Sequence, residues 1–171
     1  SCDLTLLTYD EEDGVWQGEF EIQPSNDDDK KGPRYKVALN GSWDENYGAN
    51  AARGGADIPL MVNETTPVKF YYDHETHWIT DNYNTPILVA MGDFQDQLGC
   101  AANNDAGCLR SWLQDSEGSG TFRFITTALK AGDYTIQLAK NEDSTNTIGE
   151  IQTFTVKADG DEIYFGYDPV K

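Results

Sequence analysis

The chain has 171 residues, 38% of them apolar, and a formal charge of −18. Both halves are acidic, so a phosphate backbone or an anionic membrane surface would be repelled by either, whereas a neutral polar ligand such as a sugar is indifferent to that charge. No apolar run approaches the roughly 18 residues that a membrane-spanning helix needs, and sixteen Gly, six Pro, nine Tyr, seven Phe and four Trp favour strands joined by turns.

In chain order, the first half predicts strands at Leu4–Leu7, Val15–Ile22, Arg34–Leu39, Asp57–Val62, Val68–Tyr72 and His77–Thr80. "PSNDDDKKG" at 24–32 reads as a solvated surface insertion. The second half predicts strands at Ile87–Met91, Thr121–Thr127, Asp133–Ala139, Glu150–Val156 and Glu162–Gly166. Within it, "DAGCLRSWLQD" at 105–115 is the one stretch suited to a helical turn or two.

The halves repeat one pattern. "CDLTLLTYDEEDGVWQGEFEI" from Cys2 and "CLRSWLQDSEGSGTFRFITT" from Cys108 each give a cysteine, a short apolar segment, an acidic Gly turn and an aromatic strand. Tyr35 and Tyr134 then fall at matching places, and each half ends on an aromatic strand, "VKFYYD" or "EIYFGYD". This predicts an all-β chain of two immunoglobulin-like antiparallel β-sandwich modules in tandem, 1–83 and 84–171. The first copy has no counterpart to "ILVAMGDF", so its opening strand is expected to be missing, removed or supplied from elsewhere.

Cys100 and Cys108 bracket "CAANNDAGC", with no His or third thiol close in sequence to complete a zinc site. A disulfide is expected, with roughly 2–3 kcal/mol of loop-closure stabilisation. It implies a secreted or cell-surface protein. Cys2 is left over, and its partner is expected upstream of this sequence.

Catalytic signals are weak. GxSxG, HExxH and GxxxxGK[ST] are absent. His74 and His77 flank Glu75 in "YYDHETHWITD" without the further spacing a zinc site needs. Carboxylates are plentiful, but small sandwiches seldom enclose a cleft deep enough to distort a sugar. "YDEEDG" and "DSEGSG" lack a full EF-hand loop and read as solvated turns. A non-enzyme with no cofactor and no metal is expected.

The tryptophans carry more. Trp16, in phase with Gly18 and Phe20, is expected in the core. Trp112 is expected to pack the disulfide loop against its sandwich. Trp43, past a strand end in "NGSWDENYG", and Trp78, in "THWITD", are expected at one exposed rim. Two angled indoles there would form a platform for pyranose rings, with carboxylate and amide groups taking the hydroxyls.

"YKVALNGSWDENYG", "GGADIPLMVNETTPVKFYYDHETHWITD" and "GDFQDQLGC…CLRSWLQD…GSGTFRF…LKAGDYTIQLA" resemble the X25 modules found beside pullulanases and other starch-degrading enzymes, and in starch-adherence proteins of gut anaerobes. The resemblance runs from about Cys2 to about Asp168. It implies a non-catalytic β-sandwich that binds α-1,4-glucan such as starch, amylose and maltooligosaccharides, attached to catalytic or scaffold domains of a larger protein. It maps the sugar-binding end onto Trp43 and Trp78, with Lys36, Asp44, Asn46, Tyr47 and Asp81 as polar candidates. The second half has "AKNEDSTNTIGE" in place of the Trp43 loop and is expected to play a supporting role. The alternative reading is a structural spacer or protein-docking sandwich in an exported assembly.

Overall fold

A computed structural model describes residues 5–24 and 32–170. The chain is all-β, with fourteen strands and short 3-10 turns among the described residues. Its contacts divide it into two compact units. One comprises the stretch up to Asp10, Val15–Thr85 and Ser116–Gly118; the other comprises Glu11–Gly14, Pro86–Asp115 and the stretch from Ser119 onward. No described helix is long and apolar enough to cross a membrane.

The first unit holds β1 (Thr8–Asp10), β2 (Val15–Ile22), β3 (Arg34–Tyr35), β4 (Val37–Ala38), β5 (Asn46–Tyr47), β6 (Ile58–Pro59), β7 (Thr66–Tyr72) and β8 (Ile79–Asp81). Its main sheet is antiparallel in the order β1-β2-β7-β8, with small ladders β3-β6 and β4-β5. The period-two alternation of "VWQGEFEI" puts Trp16, Gly18 and Phe20 opposite Tyr72, Phe70 and Val68. Val68 and Phe70 join buried Leu60 and Val62 in one core cluster, with Phe20, Ile22 and Tyr35 against it. Tyr72 and Ile79 join Val37 and Tyr47 in a second. Gly18 has a packing reason: a Cβ there would lie 2.9 Å from the Phe20 ring and 3.0 Å from Leu7.

The second unit holds β9 (Leu88–Gly92), β10 (Trp112–Leu113), β11 (Phe122–Thr126), β12 (Gly132–Lys140), β13 (Asp143–Val156) and β14 (Ile163–Tyr167). One antiparallel sheet runs β10-β9-β12-β13, and β11 pairs with β14. Aromatic rings join these layers. Phe165 of β14 lies 5.2 Å from Phe154 of β13, 5.5 Å from Phe94 and 5.9 Å from Phe124, centroid to centroid. Such contacts between the inner faces are what make two sheets a sandwich.

Cys100 and Cys108 form the expected disulfide, with Cα atoms 5.9 Å apart. Trp112 is buried on β10, opposite Val89. Buried Gln95 ties down the loop enclosed by the disulfide. Its Oε1 accepts from the Asp105 and Gly92 amides at 2.8 and 3.2 Å, and its Nε2 donates to the Asp105 carbonyl and the Ser111 hydroxyl at 2.8 and 3.1 Å. Cys2 and most of the insertion expected at 24–32 lie outside the described residues.

Several element boundaries differ from the sequence expectation. The first strand is Thr8–Asp10; residues 5–7 are not in a strand, and Leu4 lies outside the described residues. The expected strand Arg34–Leu39 splits at Lys36, and Asp57–Val62 contracts to Ile58–Pro59. The helical turn in 105–115 shrinks to a 3-10 turn at Leu109–Ser111 that feeds β10. β13 starts at Asp143, inside the segment expected to be a loop. The cause is a two-residue hairpin turn: Asn141 and Glu142 have φ of 57° and 58° between the paired Lys140 and Asp143. That left-handed geometry matches strand twist, so the ladder continues through polar residues.

Candidate functional site

The β4–β5 hairpin builds the candidate site. Val37 and Ala38 pair with Tyr47 and Asn46, and the connection is closed by its own backbone. The Leu39 amide donates to the Glu45 carbonyl at 2.9 Å and the Ser42 amide to the Leu39 carbonyl at 3.0 Å. Asn40 takes φ 53°, a left-handed conformation that Asn tolerates better than most residues. The Ser42 hydroxyl donates to Asp44 Oδ2 at 2.8 Å, and Asn46 Nδ2 donates to the Trp43 carbonyl at 2.9 Å. Trp43 sits on this braced loop with its side chain 64% exposed. Behind the hairpin, a Cβ on Gly48 would collide with the Ala56 carbonyl oxygen. The chain packs too closely there for any side chain.

The hairpin is held from the other side by aromatic residues. Tyr47 stacks on His77 with centroids 3.9 Å apart, and the Tyr47 hydroxyl donates to Glu45 Oε1 at 2.8 Å. That hydrogen bond raises the Tyr47 pKa above the ordinary phenol value, with burial adding to it. The Tyr72 hydroxyl lies 3.0 Å from His77 Nδ1 and 3.2 Å from His74 Nδ1. A phenol has one proton to donate, so at most one of these nitrogens accepts it and the other carries its own hydrogen. Burial holds the Tyr72 pKa well above normal.

The expected platform divides. Trp78 is 6% exposed, which contradicts the expectation of a second exposed indole. The turn between β7 and β8 explains it. Asp73 Oδ1 accepts from the Glu75 amide, and the Asp73 amide donates to the Trp78 carbonyl at 3.0 Å. This closes the hairpin just before β8 and draws Trp78 into packed structure, where a large ring is stabilised by leaving water. Asp81 is also unsuited to a sugar. It is 0% exposed, and both its oxygens are occupied. Oδ2 accepts from the Tyr35 hydroxyl at 2.5 Å and Asn84 Nδ2 at 3.0 Å; Oδ1 accepts from the Tyr83 and Asn84 amides at 2.8 and 2.6 Å. Burial, then the charge and hydrogen bond of Asp81, push the Tyr35 pKa far up.

The remaining expected residues are placed as follows. Asp44 is exposed beside Trp43, and Asn46 braces the Trp43 carbonyl. The Asn46 Oδ1 is buried without a hydrogen-bond partner among the described residues. Tyr47 is buried, so it supports the hairpin from beneath. Lys36 forms an ion pair with Asp57 at 3.0 Å. Trp16 reverses the expectation of a core position: it is 39% exposed and touches Tyr9, which is also exposed. Its phase along β2 is the inward one, but it stands near the strand's start, where Val37 and Tyr47 cover Tyr72 and Ile79 and leave Trp16 open. His77 was missed as a support residue because its stacking partner lies thirty positions away, beyond the reach of sequence pattern.

These features define an antiparallel β-sandwich protein that displays an indole on a rigid loop. The chain belongs to the pullulanase X25 domain family, whose model matches residues 1–79 and 87–171. It is 47% identical over 58 residues to an amylopullulanase of Thermoanaerobacterium thermosulfurigenes, covering 34% of this chain and 3% of that protein. It is also 47% identical over 53 residues to the amylopullulanase of Thermoanaerobacter thermohydrosulfuricus, covering 31% of this chain and 4% of the relative. The chain thus spans only a few hundredths of the length of these relatives. A pullulanase from Bacillus acidopullulyticus aligns over 94% of this chain and 16% of its own, with a TM-score of 0.46 and 16% identity.

Proposed function

We propose that the chain is a non-catalytic carbohydrate-binding module that recognises α-1,4-glucan and works within a larger secreted or surface-attached protein. The observation that carries this reading is Trp43: an indole left 64% exposed on a loop whose hydrogen bonds keep it in place, in a family named for its pullulanase domain. The apolar face of a pyranose stacks on such a ring, and a prepared ring avoids part of the ordering cost of binding. Exposed Asp44 stands in the same loop to meet sugar hydroxyls, with Lys36 a more distant candidate, while Asn46 holds the Trp43 carbonyl. Tyr47 and His77 hold the hairpin.

In this reading the two X25-like halves divide the work. The first carries the Trp43 site. The second, which has a β-ladder where the first has its Trp loop, supports or orients it. One stacked indole and a few solvent-competed hydrogen bonds give an affinity between high micromolar and millimolar, on the order of −4 to −6 kcal/mol.

Calorimetry with maltoheptaose and cellohexaose, alongside retention on insoluble starch, tests the reading. Saturable heat with the α-linked ligand and retention without release of reducing ends support it. Equal or stronger binding of the β-linked ligand, or absence of α-glucan binding, overturns it.

A further inference from the structure

Tyr9 and Trp16 form a second exposed aromatic surface. They are direct partners across β1 and β2, with ring centroids 5.5 Å apart and planes inclined at 52°. Tyr9 is 46% exposed and Trp16 39%. The pair continues a row across the whole sheet, because Trp16 is the partner of Tyr72 and Tyr72 of Ile79. The inner half of that row is buried in the cluster with Val37 and Tyr47, against which Leu7 of the same edge also packs. The outer half is open. Two large rings are thus fixed by strand register, backed by a packed core and left facing solvent.

We propose that this pair is an aromatic platform for α-1,4-glucan, additional to Trp43. The proposal rests on the reading of the chain as an α-glucan-binding module. The exposed area and the ring geometry select the occupant. Two side chains, each less than half exposed, leave on the order of 200 Å² of surface. A stable protein interface takes about 800 Å² from each partner, so a second copy of the chain would need far more than this pair offers. Two or three glucose units match the area. The inclination of the rings suits an α-1,4 chain, whose successive sugars turn relative to one another; a flat ribbon would contact one ring and leave the other. Exposed His74 lies 3.2 Å from the hydroxyl of Tyr72, the next residue of the row.

The test is hydroxyl-radical footprinting of the whole chain with and without saturating maltoheptaose, paired with calorimetry of Tyr9→Ala, Tyr9→Phe and Trp43→Ala. Footprinting of the unsubstituted chain does not depend on any variant folding. Oxidation of Tyr9 and Trp16 should fall by about threefold or more when maltoheptaose binds. Tyr9→Ala should weaken affinity by about fivefold, the loss expected for one stacking ring, while Tyr9→Phe retains it. Unchanged oxidation of both residues in a chain that binds maltoheptaose, with Trp43→Ala alone removing the binding, overturns the platform and leaves the proposed function standing. Absence of any maltoheptaose binding overturns both. Protection that grows with protein concentration in the absence of sugar overturns the platform in favour of self-association.

Discussion

Tyr47 and His77 stack nearly parallel, their planes 9° apart, although His77 must take φ 60° to present its ring. A left-handed backbone costs a residue with a Cβ about 1 kcal/mol or more, so two opposing terms meet at one position. His77→Ala should lose the stack and keep the backbone cost, destabilising by about 0.5–1.5 kcal/mol. His77→Gly loses the same stack but relieves the backbone. It should be more stable than His77→Ala by about 1 kcal/mol. Denaturant unfolding of both variants checks the order; equal stabilities would mean that the hairpin relaxes when the ring is removed.

Trp43 and Trp78 should respond oppositely to truncation. Trp43→Ala removes an exposed ring, so stability should change by less than about 0.5 kcal/mol. In the proposed function, α-glucan binding should weaken by about 2 kcal/mol or more. Trp78→Ala opens a cavity and should cost about 3–5 kcal/mol of stability. Thermal unfolding and maltoheptaose titration of the two variants separate these effects.

The contrast shows what the sequence reveals and where it stops. Alternation in "VWQGEFEI" and "TFRFITT", and the turn residues between strands, report a local period, so an all-β chain was legible. The disulfide was legible because both cysteines lie in one short loop. Burial at a strand's end is not local. Trp16 has the phase of a core residue but stands where the covering hairpin does not reach. Trp78, flanked by polar residues, is drawn inward by a turn that Asp73 organises. Asp81 looks like a ligand in "ITDNYN", yet its partners include Tyr35 from another strand. The long β13 was hidden because Asn141 and Glu142 make a tight turn without the glycine that usually marks one.

Asp81 should be one of the costliest polar positions to remove. Asp81→Ala leaves the Tyr35 hydroxyl and the Tyr83 and Asn84 amides without their acceptor. An unsatisfied buried donor costs about 1–3 kcal/mol; the Tyr35 hydroxyl is part-buried and the two amides stand on exposed residues that water can reach, so a loss of about 2 kcal/mol or more is expected. Asp81→Asn keeps the shape and one acceptor oxygen and should lose less. A measured loss below about 1 kcal/mol for the alanine variant would show that water replaces the carboxylate.

Reduction should separate stability from binding. The Cys100–Cys108 bridge lies within the second unit, whereas Trp43, Tyr9 and Trp16 belong to the first. Breaking the bridge should lower stability by about 2–3 kcal/mol and leave maltoheptaose affinity unchanged while the chain remains folded. Thiol labelling of the denatured, unreduced chain should find one reactive cysteine, Cys2. Three reactive thiols would rule out the bridge.

Stability should fall on the alkaline side, with Tyr35 as a principal cause. In the unfolded chain a tyrosine ionises near pH 10. In the fold, burial and the adjoining Asp81 carboxylate raise the Tyr35 pKa far above that value, because an ionised phenolate beside a carboxylate would repel it and lose the hydrogen bond. The folded state therefore holds a proton that the unfolded state releases. Stabilisation from this linkage is complete below pH 10 and declines above it, with a slope of about 1.4 kcal/mol per pH unit from Tyr35. Burial raises the Tyr72 pKa in the same direction and should steepen the decline. Tyr35→Phe removes the titrating proton along with the hydrogen bond to Asp81. It should be less stable than the natural chain at pH 7, with a shallower loss between pH 10 and 11. Urea unfolding across that interval measures both slopes; parallel curves would show that Tyr35 ionises in the fold as readily as in the unfolded chain.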